Sequence, residues 1–157
     1  MKPTNRVFLS IGGNLGDREA NLEEALMFIG FNMGDIVLSS EVIETEAWGM
    51  PAETPPFLNQ VVEISTQLTW QELMGEIAEL EDYYGRVRKE SGYQNREMDV
   101  DVISFNDEII EEEELQVPHP KMHLRDFVLI PLAATWPEWI HPILKKTSVE
   151  LLADLRK

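Results

Sequence analysis

The segment Met98-Asp99-Val100-Asp101-Val102 places two carboxylates at alternate positions of an apolar run. In a strand, alternate residues share a face, so Asp99 and Asp101 point one way while Val100 and Val102 point into the core. Their Cα atoms then stand ~7 Å apart, two rises of a strand. Two like charges that close repel unless something positive lies between them. Carboxylate oxygens are hard ligands suited to Mg²⁺ or Mn²⁺. The pair is thus a candidate metal-phosphate site, against the plainer alternative of a strand face with two solvated aspartates. Arg86, Arg88, Lys89 and Arg96 lie just upstream, with Glu90 the one acid among residues 86–96. They favour the metal. Arginine forks grip phosphate oxygens bidentately, and metal plus arginine supplies the positioning and charge neutralisation that phosphoryl transfer needs.

Other candidates are less specific. Gly12-Gly13-Asn14-Leu15-Gly16-Asp17 lies where a phosphate loop could lie, but it lacks the Gly-Lys-Ser/Thr ending, and Asp17 would repel phosphate at a helix start. A tight strand-to-helix turn is the favoured reading. Thr45 to Asn59 mixes turn residues with Trp48, Phe57 and Asn59. Aromatic faces and one amide could sandwich a flat heterocycle, although Phe57 would also serve as core. His119, between two prolines, is either a loop filler or a phosphate or nucleotide contact. Arg125 with Phe127 repeats the charge-plus-aromatic theme and stays ambiguous. His123 and His141 have no partner at metal-ligand spacing. No G-x-S-x-G or H-E-x-x-H occurs, so acyl transfer and zinc hydrolysis are poor guesses.

These residues need elements to hold them. Arg6 to Ile11 reads as a strand, with Asp17 capping an amphipathic helix over residues ~17–30. Residues 36–38 and 42–43 form a second strand region, and 46–56, with Gly49, Pro51, Pro55 and Pro56, a long loop. Phe57 to Leu68 is a third strand. Thr69 caps a second helix with Leu73, Ile77, Leu80 and Tyr84 on one stripe, ending at Gly85. A polar loop over 86–97 leads to a fourth strand, Met98 to Phe105. The order βαββαβ predicts an α+β fold: a ferredoxin-like core, an antiparallel sheet with helices on its faces, plus a C-terminal extension. In that extension Val117-Pro118-His119-Pro120 reads as an extended loop and Phe127 to Thr135 as helix around Pro131. Thr147 or Ser148 caps a last helix to Leu155. Glu111 to Glu114 reads as a solvated turn.

Composition sets outer bounds. The 157 residues carry 13 Lys+Arg, 29 Asp+Glu, 3 His and no Cys. One domain over 1–157 is expected, able to bury about two-thirds of its unfolded surface. Without Cys there is no disulfide, thiolate nucleophile, Cys-bound zinc or iron–sulfur cluster. A net charge of −16 argues against wrapping nucleic acid or docking on an anionic membrane. From Glu19 to Gly85 there is no Lys or Arg at all, so the basic stretch at 86–96 stands out. With no transmembrane stretch or signal-peptide pattern visible, the cytoplasm is the expected compartment.

The ordered set resembles the 6-hydroxymethyl-7,8-dihydropterin pyrophosphokinases of folate biosynthesis. The matching pieces are Ser10-Ile11-Gly12-Gly13-Asn14-Leu15-Gly16-Asp17, Phe57-Leu58-Asn59, Glu81 to Arg88, Arg96-Glu97-Met98-Asp99-Val100-Asp101, Val117-Pro118-His119-Pro120 and Arg125-Asp126-Phe127-Val128-Leu129. They run in family order over about residues 6–137.

The resemblance implies transfer of the β,γ-pyrophosphoryl group of ATP to the hydroxymethyl oxygen of the reduced pterin, releasing AMP. It implies two Mg²⁺ ions held by Asp99 and Asp101, with Arg86 and Arg96 gripping the triphosphate. Glu81, Arg88, Val102, His119 and Arg125 fall on the ATP side. Phe57 and Phe127 align with aromatics that stack on the pterin, Asn59 with an amide on its edge, and Thr45 and Trp48 with its neighbours. The partners expected are these small molecules, bound by a monomer. Asn95-Arg96-Glu97 departs from the family's usual Pro-Arg-Thr, and Gly92 and Glu114 stand at positions that are often basic. A non-catalytic pterin or nucleotide sensor is the alternative, but it would have no use for two facing carboxylates. A metal-dependent phosphohydrolase would leave Phe57, Asn59 and Phe127 unexplained.

Overall fold

The computed structural model describes residues 3–46, 54–85 and 97–157. Strand β1 (Asn5–Gly13) lies at the centre of an antiparallel sheet, between β4 (Phe57–Thr66) and β5 (Asp99–Phe105). The order is β2-β4-β1-β5, with β2 (Asp35–Ser39) and the short β3 (Ile43–Thr45) both paired to β4. The expected second strand region is therefore two strands on one neighbour. β2 is an edge strand with Ile36, Val37 and Leu38 exposed, and its register shifts between Ile36 and Leu38. Such an irregularity blunts an edge against pairing with another chain.

β1, flanked by β4 and β5, is buried from Val7 to Gly13. On the first face Val7, Leu9, Ile11, Val62, Ile64, Val100 and Val102 meet two helices. Helix α1 (Arg18–Asn32) contributes Leu22, Ala25 and Ile29; helix α2 (Trp70–Tyr83) contributes Leu73, Ile77 and Leu80. Each such Leu or Ile side chain, fully buried, is worth about 1.5–3 kcal/mol. The starts of both helices follow from sequence. Asp17 accepts from the Ala20 amide, and Thr69 and Glu72 form a reciprocal capping box. After α2 the chain turns at Gly85, whose φ of +71° suits glycine.

The second face is covered by the C-terminal extension. Helix α3 (Asp126–Thr135, with Pro131 inside) and helix α4 (Ser148–Leu155) lay Val128, Leu129, Leu132 and Leu151 over Phe8, Val61 and Ile103. Trp136 meets Phe8 edge-on at 5.1 Å and donates its indole N–H to Glu63 at 2.9 Å. Thr147, not Ser148, caps α4, in a capping box with Glu150. Residues 110–117 form a hairpin, β6 (Ile110–Glu111) and β7 (Gln116–Val117), so Val117, expected in an extended loop, and Glu111, expected in a solvated turn, lie in strands. Glu112 to Glu114 are its exposed turn. Among the described residues no helix is long and apolar enough to cross a membrane.

His141 ties the turn before α4. It is buried, and its Nδ1 accepts from the Ile143 and Leu144 amides at 3.1 and 3.0 Å. Burial, helped by nearby His123, pushes its pKa down to about 4. The unfolded chain therefore binds a proton near pH 6.5 that the folded chain refuses until about pH 4. Stability present above pH 6.5 is lost progressively as pH falls through that window. Thermal melts over pH 4–7 should show a falling Tm, and His141→Asn, which keeps an acceptor, should flatten that slope. An unchanged slope would assign the acid sensitivity to other groups.

Candidate active site

The helices of the extension cover only half of the second face. Along β1 the residues on this face run Phe8, Ser10, Gly12; along β4 Val61, Asn59, Phe57; along β5 Ile103, Asp101, Asp99. Phe8, Val61 and Ile103 lie under α3. Beyond them the pairing sets Asn59 opposite Gly12 and Gly12 opposite Asp99, with Ser10 opposite Asp101. Neighbouring strands lie ~4.8 Å apart, so Asn59 and Asp99 stand about 10 Å apart across one row. Gly12 keeps that row open. A Cβ there would come within 2.6 Å of Asn59 Oδ1 and 2.5 Å of the Leu58 carbonyl oxygen.

On the β4 side the Asn59 amide is fixed in place. It is buried and donates to Thr45 Oγ1 at 2.8 Å, and Thr45 pairs with Phe57 across β3 and β4. Phe57 is half-buried, and Phe127, in the first turn of α3, packs at the edge of the second core. An amide edge beside a half-covered aromatic suits a flat polar ring.

On the β5 side Asp99 and Asp101 are half-buried while Val100 and Val102 are buried on the opposite face, as strand alternation requires. Arg125, at the N-cap of α3, brings Nη1 to 3.6 Å from Asp101 Oδ2, with the two side chains 13% and 31% exposed. Its guanidinium lies 5.5 Å from the Phe127 ring centroid. One arginine thus spans the carboxylate side and the aromatic side. His119 follows the cis Val117–Pro118 bond, and its amide donates to the Ile103 carbonyl at 2.9 Å, which holds the loop against β5. Its Nδ1 accepts from the Lys121 amide at 3.1 Å. Burial first, then the Arg125 charge, pushes its pKa down to about 4, against the opposing pull of Asp99. At neutral pH it is an uncharged imidazole whose Nε2 carries the proton, a hydrogen-bond donor beside the carboxylates.

The structure thus brings Asp99, Asp101, His119, Arg125, Phe127, Phe57, Asn59 and Thr45 to one open face. Two expected nucleotide residues sit elsewhere. The Val102 side chain lies in the first-face core, because the alternation that turns Asp101 outwards turns Val102 inwards. Glu81 is buried in the last turn of α2, where Oε2 accepts from the Val100 amide at 3.0 Å. Trp48, Arg86, Arg88 and Arg96 lie outside the described residues. Asp17 serves as a helix cap, in keeping with a structural turn at Gly12 to Asp17. Ser10 and Gly12, taken as strand and turn, line the site. Their signal was available: they are the small, polar interruptions at period two in an otherwise apolar strand.

Asp99 and Asp101 present hard-oxygen donors on one face. No group of three or more His, Cys, Asp or Glu that could hold a metal occurs among the described residues. That donor set fits Mg²⁺, which commonly takes one or two carboxylates and completes its shell with phosphate oxygens and water.

Residues 8–137 match the family model described as 7,8-dihydro-6-hydroxymethylpterin-pyrophosphokinase. The 2-amino-4-hydroxy-6-hydroxymethyldihydropteridine pyrophosphokinase of Porphyromonas gingivalis is 39% identical over 140 residues, covering 87% of this chain and 93% of that protein. The Bacillus subtilis protein of the same name is 39% identical over 130 residues, covering 82% and 77%. A folic acid synthesis protein of Dictyostelium discoideum is 33% identical over 153 residues, 96% of this chain but 22% of that one. Among solved structures, Plasmodium falciparum HPPK-DHPS with pterin and p-hydroxybenzoate superposes with a TM-score of 0.74 at 17% identity. This likeness concerns the fold. It covers 96% of this chain, which spans 42% of that one.

Gly12→Ala should lower stability by about 1–3 kcal/mol, because the new methyl meets a carbonyl oxygen and the Asn59 amide. Gly75→Ala is the control: it lies within α2 with nothing within 4 Å of its would-be Cβ, and should gain about 0.5–1 kcal/mol from helix propensity. Urea unfolding of both variants checks the pair. Equal effects would mean that Gly12 is not held against Asn59.

Proposed function

The chain belongs to the 7,8-dihydro-6-hydroxymethylpterin-pyrophosphokinase family, and from that premise we propose how its open face performs pyrophosphoryl transfer in folate biosynthesis. The reaction joins the hydroxymethyl oxygen of 6-hydroxymethyl-7,8-dihydropterin to the β-phosphorus of ATP. The bond from that phosphorus to the α,β-bridging oxygen breaks, its electron pair leaves with AMP, and the hydroxyl proton is released. The observation that carries the proposal is the row Asn59–Gly12–Asp99. It sets a ring-orienting amide and a metal-type carboxylate about 10 Å apart with a cleared floor between them. That is the span a bicyclic ring needs for its hydroxymethyl arm to reach a metal-bound phosphate.

In this reading Asn59, oriented by Thr45, hydrogen-bonds the pterin edge, while Phe57 and Phe127 take its faces and Trp48 adds an apolar neighbour. Asp99 and Asp101 would hold two Mg²⁺ ions, which when bound would draw charge from the phosphate oxygens. Arg125 is held ready by Asp101 and Phe127 to meet a phosphate oxygen, and neutral His119 donates to another without adding charge. Arg86, Arg88 and Arg96 are assigned to the triphosphate. Glu81 and Val102 take part on the nucleotide side through the strand they support. Positioning and charge neutralisation are the main demands of such a transfer. Their proximity here supports an enzyme rather than a sensor, and the paired amide and aromatics favour it over a phosphohydrolase.

The antiparallel order β2-β4-β1-β5, with α1 and α2 on one face, supports reading the sheet as a ferredoxin-like split unit whose second strand is broken into β2 and β3. We take the chain as a single domain over 1–157, acting as a monomer in the cytoplasm on two small molecules.

Purified protein given ATP, Mg²⁺ and the reduced pterin should release pterin-dependent AMP. Asp101→Ala should lower that rate about 100-fold or more, as loss of several kcal/mol of metal-borne stabilisation requires, with pterin binding retained. ADP and free phosphate as products, or a wild-type rate in the variant, would sink the assignment.

A further inference from the structure

We infer that Glu81 is a positioning residue for the carboxylate strand, acting through the Val100 amide. This rests on the reading of Asp99 and Asp101 as the metal carboxylates. Val100 stands between them and lies opposite Ile11 of β1. Its N–H is given to Glu81 Oε2 at 3.0 Å and so is not part of the β1 ladder. Among the described residues β5 is the last strand of the sheet on this side, so this amide faces the sheet edge. Edge amides are ordinarily met by water. Here Val100 is buried, 4% exposed, and so is Glu81, 5% exposed.

The choice of acid is the informative part. Leu73, Ile77 and Leu80 make the buried stripe of α2, and Glu81 interrupts it at the helix's inner end. Burying a carboxylate is costly unless it gains strong hydrogen bonds, and a carboxylate accepting a backbone N–H forms a charge-assisted bond. That bond fixes the peptide between Asp99 and Val100, and with it the directions in which both aspartates leave the strand. Outer-shell contacts of this kind orient ligands in metal sites generally. Helix α2 thereby sets the aim of a site on the opposite face of the sheet, through the edge strand rather than through the core.

The test uses the full chain with Glu81→Ala, Glu81→Gln and Asp101→Ala. In metal-free protein, the Val100 amide should be protected from hydrogen exchange in wild type and in Glu81→Gln, which keeps an acceptor oxygen. In Glu81→Ala its protection should be lost. In the AMP assay, Glu81→Ala should lower kcat by about 10–100-fold and raise the Mg²⁺ concentration for half-saturation, as outer-shell losses do. The pterin KM should stay near wild type, and Glu81→Gln should restore most of the loss. If Glu81→Ala does not fold, Glu81→Asp, one methylene short of Val100, carries the same readouts. Full Val100 protection with wild-type Mg²⁺ saturation in Glu81→Ala would overturn the inference, as would Glu81→Gln as impaired as Glu81→Ala. If Asp101→Ala is inactive while Glu81→Ala behaves as wild type, only this inference fails. A wild-type rate in Asp101→Ala removes the metal reading and this inference with it.

Discussion

Two hydrogen-bonded ladders meet on β1, one with β4 and one with β5, and their registers fix every distance in the site. Asn59, Gly12 and Asp99 come from three strands far apart in the chain. They share a row because Gly12 pairs with both others. A slip of one residue in either ladder would turn Asn59 or the aspartates to the opposite face, since side chains alternate with period two. The register is held by burial on both faces: Val7, Leu9 and Ile11 under α1 and α2, Phe8 under α3. The two cores thus act as the clamp that keeps the site's geometry.

The electrostatics follow the same economy of parts. In a chain of net charge −16, cations near the carboxylates have a task beyond solubility. The Arg125–Asp101 contact, at 3.6 Å and partly exposed, is worth little as a stabilising ion pair. Its effect is to keep a guanidinium beside the carboxylate strand. His119 contributes differently. Burial and Arg125 keep it neutral, so it lends a directed N–H without competing with a cation for Asp99.

Much of this was legible in the sequence because it is local. Two carboxylates at i and i+2 in an apolar run announce their common face, and Asp17, Thr69 and Thr147 announce helix starts through the amides they cap. What was hidden is long-range. Nothing near Gly12 says that Asn59 will lie over it, because that depends on a ladder closed across the first helix and the second strand region. Nothing near Glu81 says that its partner is a backbone amide nineteen positions on. The break of the second strand region into β2 and β3 likewise reflects how both fit along β4, a tertiary demand that propensity does not encode.

The position of the open face can be argued from pattern once the register is known. Followed towards the open end, β1 changes from Phe8 to Ser10 and Gly12, β4 from Val61 to Asn59, and β5 from Ile103 to Asp101 and Asp99. β1 and β5 turn polar at the row of Ser10 and Asp101, where β4 still carries Val61, and at the next row Asn59, Gly12 and Asp99 are all small or polar. A sheet face built only for stability would continue the apolar rows and extend the helix over them. Here the apolar residues give way between the Ser10 row and the Gly12 row, and the first residues of α3 and the residue capping it supply Phe127 and Arg125. Burial forgone on that half-face is the energetic cost of the cleft, borne by the two cores on either side of β1. The same boundary explains why Asp99 and Asp101 can stay half-exposed on a strand whose other residues are buried: they lie just past the edge of the helix that covers Ile103.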